Sequence, residues 1–170
     1  YKSKSLKFAK LKNEGDQVIA LAPIKLDDVM LVTKNGYALR FNIEEVPVIG
    51  AKAAGVKAIN LKKDDVLVAA FIANTDSLYL LTQRGSLKRM AVADIPVTSR
   101  ANRGLQVLRE LKTKPHRVFV AGPVFGEAVD FDLFTTEAEA SEEQILQVLS
   151  NKGTAYEINL ADLSLSERTS

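Results

Sequence analysis

The chain has 170 residues, 46% of them hydrophobic and 26% charged, enough to bury a substantial core in one domain or one compact array. It has no cysteine, which excludes disulfides, thiolate metal sites and a cysteine nucleophile and fits a reducing cytoplasm. Aromatics stand at 6% with no tryptophan, leaving little from which to build an aromatic ligand pocket, and no apolar run is long enough to cross a bilayer as a helix or to serve as a signal segment. The net charge of +2 hides a division: residues 1–120 carry 21 Lys and Arg against 11 Asp and Glu (+10), and residues 121–170 carry 2 against 10 (−8). Such a division suits one part that meets a polyanion and another that stays off it.

In chain order, residues 1–24 are the second half of a repeat, Ser5-Leu-Lys-Phe-Ala-Lys-Leu11 followed by Val18-Ile-Ala-Leu-Ala-Pro-Ile24. A full repeat spans residues 25–73. It runs through Val29-Met-Leu-Val-Thr-Lys-Asn-Gly36-Tyr-Ala-Leu-Arg40-Phe, the extended step Val46-Pro-Val48, Gly55-Val-Lys-Ala-Ile-Asn-Leu61 and Val66-Leu-Val-Ala-Ala-Phe-Ile72. Residues 74–124 repeat it as Leu78-Tyr-Leu-Leu-Thr-Gln-Arg-Gly85-Ser-Leu-Lys-Arg89-Met, Ile95-Pro-Val97, Gly104-Leu-Gln-Val-Leu-Arg-Glu110 and Val118-Phe-Val-Ala-Gly-Pro-Val124. Residues 125–144 interrupt the pattern as an insertion with seven acidic residues and no basic one. Residues 145–170 carry a third first half, Leu146-Gln-Val-Leu-Ser-Asn-Lys-Gly153-Thr-Ala-Tyr-Glu157-Ile with Leu163-Ser-Leu165. The glycines at 36, 85 and 153 keep the same offsets, 49 and 68, as the extended steps that follow them. Alone, Ser141-Glu-Glu-Gln144 before an apolar run would suit a capped helix; the repeat register makes residues 145–150 a strand instead. A chain that opens on Tyr1 and starts and stops inside a repeat is expected to be part of a larger array.

Short Val-, Ile-, Leu- and Thr-rich runs divided by Asn35-Gly36, Arg84-Gly85 and Lys152-Gly153 predict hairpins closed by two-residue turns, glycine supplying the positive φ. Each half-repeat is expected to contribute paired strands. Four short strands about every 50 residues predict an all-β, propeller-like array of blades.

Catalytic chemistry is poorly served. The single histidine, His116, stands between Pro115 and Arg117 in a connecting turn without a partner motif. No glycine pattern matches a phosphate-binding loop, and the pairs Asp27-Asp28, Glu44-Glu45 and Asp64-Asp65 read as solvated turn residues. Basic residues, in contrast, recur in register. Lys34, Arg84 and Lys152 lie at the hairpin turns; Arg40 and Arg89 match on the following strand, with Lys88 beside the latter. Lys52 and Lys57 in one repeat and Arg100 and Arg103 in the next occupy the loops before the second half. Equivalent positions on successive blades would form a curved positive track that suits duplex phosphates. Glu157 stands where the third repeat should carry its arginine, so the track is expected to weaken there.

These motifs, a [Thr/Ser]-x-x-Gly hairpin, a basic strand, an Ile-Pro-Val-like step and a basic glycine-containing loop, resemble the C-terminal repeats of the larger, DNA-cleaving subunits of bacterial type IIA topoisomerases, those of DNA gyrase and topoisomerase IV. The resemblance covers almost the whole chain outside the insertion. It implies a β-pinwheel, in which blades exchange strands, and a non-catalytic module that bends double-stranded DNA around its rim. It further implies a bacterial, cytoplasmic, nucleoid-associated enzyme in which this part holds no cofactor. There the cleaving tyrosine, the ATP and Mg sites, the ATPase B subunit, and the rest of the A subunit lie elsewhere. None of Tyr1, Tyr37, Tyr79 or Tyr156 inherits the cleaving role. The loops Gly50-Ala-Lys-Ala-Ala-Gly55 and Ser99-Arg-Ala-Asn-Arg-Gly104 both lack the Gln-Arg-Arg-Gly-Gly-Lys-Gly box of gyrase, which favours the topoisomerase IV type. The rival of another class, a propeller-like protein-interaction scaffold, would show an exposed apolar or aromatic patch at the matched outer positions.

Overall fold

In the computed structural model, the structure describes residues 11, 14–22, 27–49, 53–124, 145–149 and 154–159. The insertion at 125–144, Lys52, Lys152 and the segment at 5–10 lie outside the described residues. Nine strands and two single 3-10 turns are found among the described residues. Strands β1 (Asp28–Thr33) and β2 (Tyr37–Asn42) form the first hairpin, and β3 (Leu67–Ile72) lies on the other side of β1. Strands β4 (Ser77–Thr82) and β5 (Leu87–Ala91) form the second, joined by β7 (Val118–Val124) on the side of β4 away from β5. Between them in sequence lies the short β6 (Leu105–Gln106). The third hairpin is β8 (Ile145–Leu149) with β9 (Ala155–Asn159), so the run after Gln144 is a strand in the repeat's register.

The sheets do not follow the repeats. The first has the order β3-β1-β2-β6, its fourth strand being supplied by the following repeat. Tyr37 pairs with Gln106 and Ala38 with Leu105, and the carbonyl of Gly36 accepts from the N–H of Val107 at 2.8 Å. The expectation that a second half-repeat forms paired strands of its own is therefore corrected: residues 54–62 stand in no strand, and the matching 105–106 joins the blade before its own. This exchange of strands makes the array a β-pinwheel, all-β as the repeat predicts. A four-stranded blade is thereby assembled from two stretches of chain.

The hairpin turns also differ from expectation. Gly36 and Gly85 have φ of +83° and +78°, but Asn35 and Arg84 are not among the residues with positive φ, so the two-residue turn that needs both is excluded. Instead the N–H of Gly36 donates to the carbonyl of Thr33 and that of Gly85 to Thr82, both at 3.0 Å, in a longer loop that ends on a left-handed glycine. The threonine of the motif closes it: Thr33 Oγ1 accepts from the N–H of Tyr37, and Thr82 Oγ1 from that of Ser86, each at 3.2 Å. Both threonines are buried. Thr33→Val keeps the volume but strands the Tyr37 N–H, and we expect a loss of about 1–3 kcal/mol in urea unfolding.

Alternation of side chains along the strands gives the first blade two apolar faces. Met30, Val32 and Ala38 of the first blade pack with Leu78, Leu80, Met90, Val92 and Ile95 of the second, making one shared core. The opposite face of the first blade, Leu31, Leu39 and Phe41, is covered by Ile59 from the connecting segment. Blades therefore stack face to back. Strands β3 and β7 pack against one another, which puts those edges toward the axis of the array and the β2–β6 edge toward its rim.

Candidate nucleic-acid interface

Strand direction sorts the basic residues into two rows. The hairpin turns of both blades lie at one end of their sheets, since the N–H of Val118, at the start of β7, donates to the carbonyl of Lys34 at 2.8 Å. Lys34 and Arg84 belong to this end and are exposed. The loops before β3 and β7 lie beside them: the N–H of Lys34 donates to the carbonyl of Val66, and that of Gln83 to Arg117. Lys62, Lys63, Lys112, Lys114 and Arg117 thus join this row. The sequence reading missed them because loop lengths differ between the repeats, so they are not in register. The signal that could have found them is the enrichment itself, Lys62-Lys63 and Lys112-Thr-Lys114 both leading into an apolar strand.

The second row lies further from the turns, along the loop that leads into β6. It holds Lys57, Arg100 and Arg103, with Arg40 and Arg89 near the middle of β2 and β5. Several of these cations are engaged within the protein. Arg40 Nε donates to Asp28 Oδ2 at 2.8 Å, in an ion pair whose side chains are 23% and 16% exposed, and Nη1 reaches the carbonyl of Val92 in the next blade at 3.4 Å. The backbone of Arg40 also bridges to Val97, and its carbonyl accepts from Thr98 at 2.8 Å. Arg89 repeats the arrangement one blade later, its Nε donating to Ser77 Oγ at 3.0 Å with the same twelve-residue separation. Arg100 ties its loop to the first blade: its N–H donates to Glu45 Oε2 at 2.8 Å and its guanidinium to the carbonyls of Glu45 and Lys57.

Lys88 is half-buried beneath the rim and donates to the carbonyl of Val107 at 2.9 Å. Burial lowers its pKa from 10.5, partly countered by Asp94. Because the folded state binds this proton less readily than the unfolded chain, stability rises with pH as the range just below 10.5 is approached. Lys88→Met is expected to remove that share of the alkaline rise, seen as a flatter difference curve in urea unfolding between neutral and alkaline pH.

Of the cations singled out in the sequence, those left exposed without an acidic partner at hydrogen-bond distance among the described residues are Lys34, Lys57, Arg84 and Arg103. Lys57 Nζ meets only Asn60 Oδ1 at 2.8 Å, and Arg84 only the carbonyl of Lys114 at 3.2 Å. Arg103 borders a groove of about 370 Å³ between β2 and the strand exchanged onto it, with Arg40, Thr98, Asn102 and Leu105.

The carboxylates have structural work. Asp28 is half-buried against Arg40, and Asp65, which is buried, accepts from the N–H groups of Asn35 and Val66 at 2.9 Å. Both correct the solvated-turn reading: Asp28 pairs with a side-chain cation of its own hairpin, and Asp65 supplies an acceptor for N–H groups the sheet leaves over. His116 Nδ1 lies 3.3 Å from Thr82 Oγ1 and meets no carboxylate among the described residues. Among the described residues, no three His, Cys, Asp or Glu side chains gather as a metal site, and no helix is long and apolar enough to cross a membrane.

The tandem repeat agrees with the family this chain matches. The family model described as DNA gyrase C-terminal domain, beta-propeller, matches twice, over residues 27–74 and 76–123. The chain belongs to the DNA gyrase C-terminal domain family. Within that family it is 67% identical over 170 residues, its whole length, to the A subunit of DNA topoisomerase 4 of Streptococcus pneumoniae, of which it covers 20%. Against the same subunit of Bacillus subtilis it is 38% identical over 169 residues, 99% of this chain and 19% of that one. The chain thus spans about a fifth of the length of these curated relatives. A crystal structure of the C-terminal domain of DNA topoisomerase IV matches with a TM-score of 0.69 and 32% identity, covering 84% of this chain and 40% of that one. The structure of a DNA gyrase A C-terminal domain matches in fold, with a TM-score of 0.73 at 21% identity over 94% of this chain and 49% of that one. The family's double match begins one residue before β1 and ends one before the end of β7, so its unit is the hairpin with its own third strand.

Proposed function

We propose that this segment binds and bends double-stranded DNA, without reading its sequence, as the non-catalytic C-terminal module of a topoisomerase IV A subunit. The observation that carries the proposal is the pair of basic rows on either side of the rim. They are offset along β2, with Lys34 at its turn end and Arg103 beside Ala38–Arg40, about 10 Å further along. A duplex running along the rim would bring phosphates to both rows, with Lys34 and Arg84 on one side and Lys57 and Arg103 on the other. Such contacts hold a duplex in register but carry no sequence information. Arg40, Arg89 and Arg100 serve chiefly to join hairpin ends and blades, and so set the curvature along which DNA bends.

In the intact enzyme, this module would position a duplex for decatenation and relaxation. It would work beside the ATPase B subunit, and beside the rest of the A subunit, in the bacterial cytoplasm, with ATP and Mg used elsewhere. The topoisomerase IV reading rests on the loops at 50–55 and 99–104, which lack the gyrase box, and on the altered third repeat with Glu157. Mobility of circularly permuted fragments tests the bending: we expect a position-dependent shift on binding, and equal mobility of all permutations would contradict it.

The shared assignment of Asp28 and Arg40 gives a separable test. Asp28→Asn together with Arg40→Gln should leave DNA affinity within about threefold, because a paired charge contributes little to counterion release. A loss as large as that of Arg103→Glu would return Arg40 to the DNA track.

A further inference from the structure

The loop at residues 98–104 crosses the rim between the two full repeats and is tied down along its length. The N–H of Thr98 donates to the carbonyl of Arg40, that of Arg100 to Glu45 Oε2, and that of Ala101 to the carbonyl of Ala58, all at 2.8 Å. The carbonyl of Asn102 accepts from the N–H of Asn60 at 2.9 Å. Ala101 stands at φ +67°, a left-handed conformation unfavourable for any side chain, which these bonds hold in place. A loop so held presents the side chains that follow it, Asn102 and Arg103, at fixed positions, and both are exposed. They border the groove of about 370 Å³ beside β2.

Thr98 lines the same groove, and its Oγ1 is the one buried side-chain oxygen or nitrogen without a hydrogen-bond partner among the described residues. A buried hydroxyl left unpaired costs stability, a cost that valine in the same space would not carry. The hydroxyl can donate only to an acceptor brought in from outside. Charge points to the kind of acceptor. Arg40, also at the groove, is neutralised by Asp28 at 2.8 Å, whereas Arg103 has no acidic partner among the described residues. The groove therefore offers one uncompensated positive charge beside the donors of an amide and a hydroxyl, which suits an anion with several acceptor oxygens.

We propose that this groove seats one phosphate of the duplex, held by the Arg103 guanidinium, the Asn102 side-chain amide and the Thr98 hydroxyl, and so anchors DNA at one point on the rim. The inference rests on the DNA-binding reading and narrows it: elsewhere phosphates meet exposed cations, whereas here one phosphate is gripped by hydrogen bonds. The two full repeats differ in this. Forty-nine residues earlier, at the places matching Thr98, Asn102 and Arg103, the first repeat has Ile49, Ala53 and Ala54, none with a side-chain donor. A bonded seat on a track otherwise held by charge hinders sliding of the duplex and leaves its sequence unread.

Neutral donors and cations leave different marks on a salt series, and that separates the seat from the track. Thr98→Val and Asn102→Ala should each weaken binding of a short duplex by about three- to tenfold at every salt concentration. The slope of log affinity against log salt should stay as in wild type, because neither side chain releases counterions. Arg103→Gln should instead flatten the slope by about 1. In urea, Thr98→Val should unfold at the same concentration as wild type or a higher one, a combination of undiminished stability and weakened binding that a purely structural threonine would not give. Thr98→Val or Asn102→Ala binding duplex as tightly as wild type overturns the seat, while binding that Lys34→Glu still weakens would leave the DNA track standing. A Thr98→Val variant less stable than wild type also overturns it, by giving the hydroxyl a partner inside the fold. Wild-type chain that binds no duplex at low salt overturns seat and track together.

Discussion

Gly104→Ala lowers the unfolding free energy by about 3 kcal/mol, the largest single loss expected from any glycine of the array. Two costs combine. A side chain at φ +88° meets the left-handed penalty of about 1–2 kcal/mol. The added Cβ would also lie 2.7 Å from the carbonyl carbon of Ala38 and 2.9 Å from the nitrogen of Leu39, backbone atoms in the middle of a sheet that cannot turn aside. The exchanged strand must lift off β2, and the bonds from Val107 and Leu108 to the carbonyl of Gly36 weaken with it. Gly36→Ala should cost somewhat less, because its Cβ would meet the side chain of Leu108, 2.6 Å away, which can rotate. Gly85→Ala should cost least: φ is +78°, but nothing lies within 4 Å. Urea unfolding of the three variants checks the order, and a Gly85 loss equal to that of Gly104 would contradict the strand exchange as the origin.

Reversing Lys34, Lys57, Arg84 and Arg103 together to glutamate is expected to weaken duplex binding by roughly a thousand- to ten-thousandfold at about 0.1 M salt, with the fold intact. Each phosphate contact releases counterions, and at that salt one contact is worth roughly tenfold in affinity. Four exposed side chains outside the core carry the change, so thermal unfolding should move little. The contributions should be similar on both sides of the rim. If the Lys34 and Arg84 pair alone accounted for the whole loss, DNA would lie across the hairpin end and not along the rim.

The repeat was legible because it is written in residue types that one conformation demands. Gly36 and Gly85 hold the left-handed end of each turn, the preceding threonines close it, and Val, Ile and Leu alternate on both sides. All-β architecture and the strand character of residues 145–149 followed. Turn type did not, because Asn-Gly satisfies several hairpin loops and only the bond from Gly36 to Thr33 decides among them. Nor did the destination of residues 105–106: a two-residue strand carries no periodicity, and the information lies in Gly104, whose missing side chain admits the neighbouring backbone. Recurrence of arginine at 40 and 89 was real, yet recurrence marks a structural need as readily as a functional one. Their shared bond to the first residue of the hairpin shows the structural share. Charge state in a sequence does not say whether a partner is waiting across the sheet.

The central claim, that the rim of this array binds duplex phosphates without reading sequence, is tested most directly by titrating the chain with unrelated duplexes of equal length across a series of salt concentrations. At least four contacts predict that log affinity falls with log salt at a slope of about −4 or steeper, identical for all duplexes. A slope near zero, or affinities that separate by sequence, would contradict it.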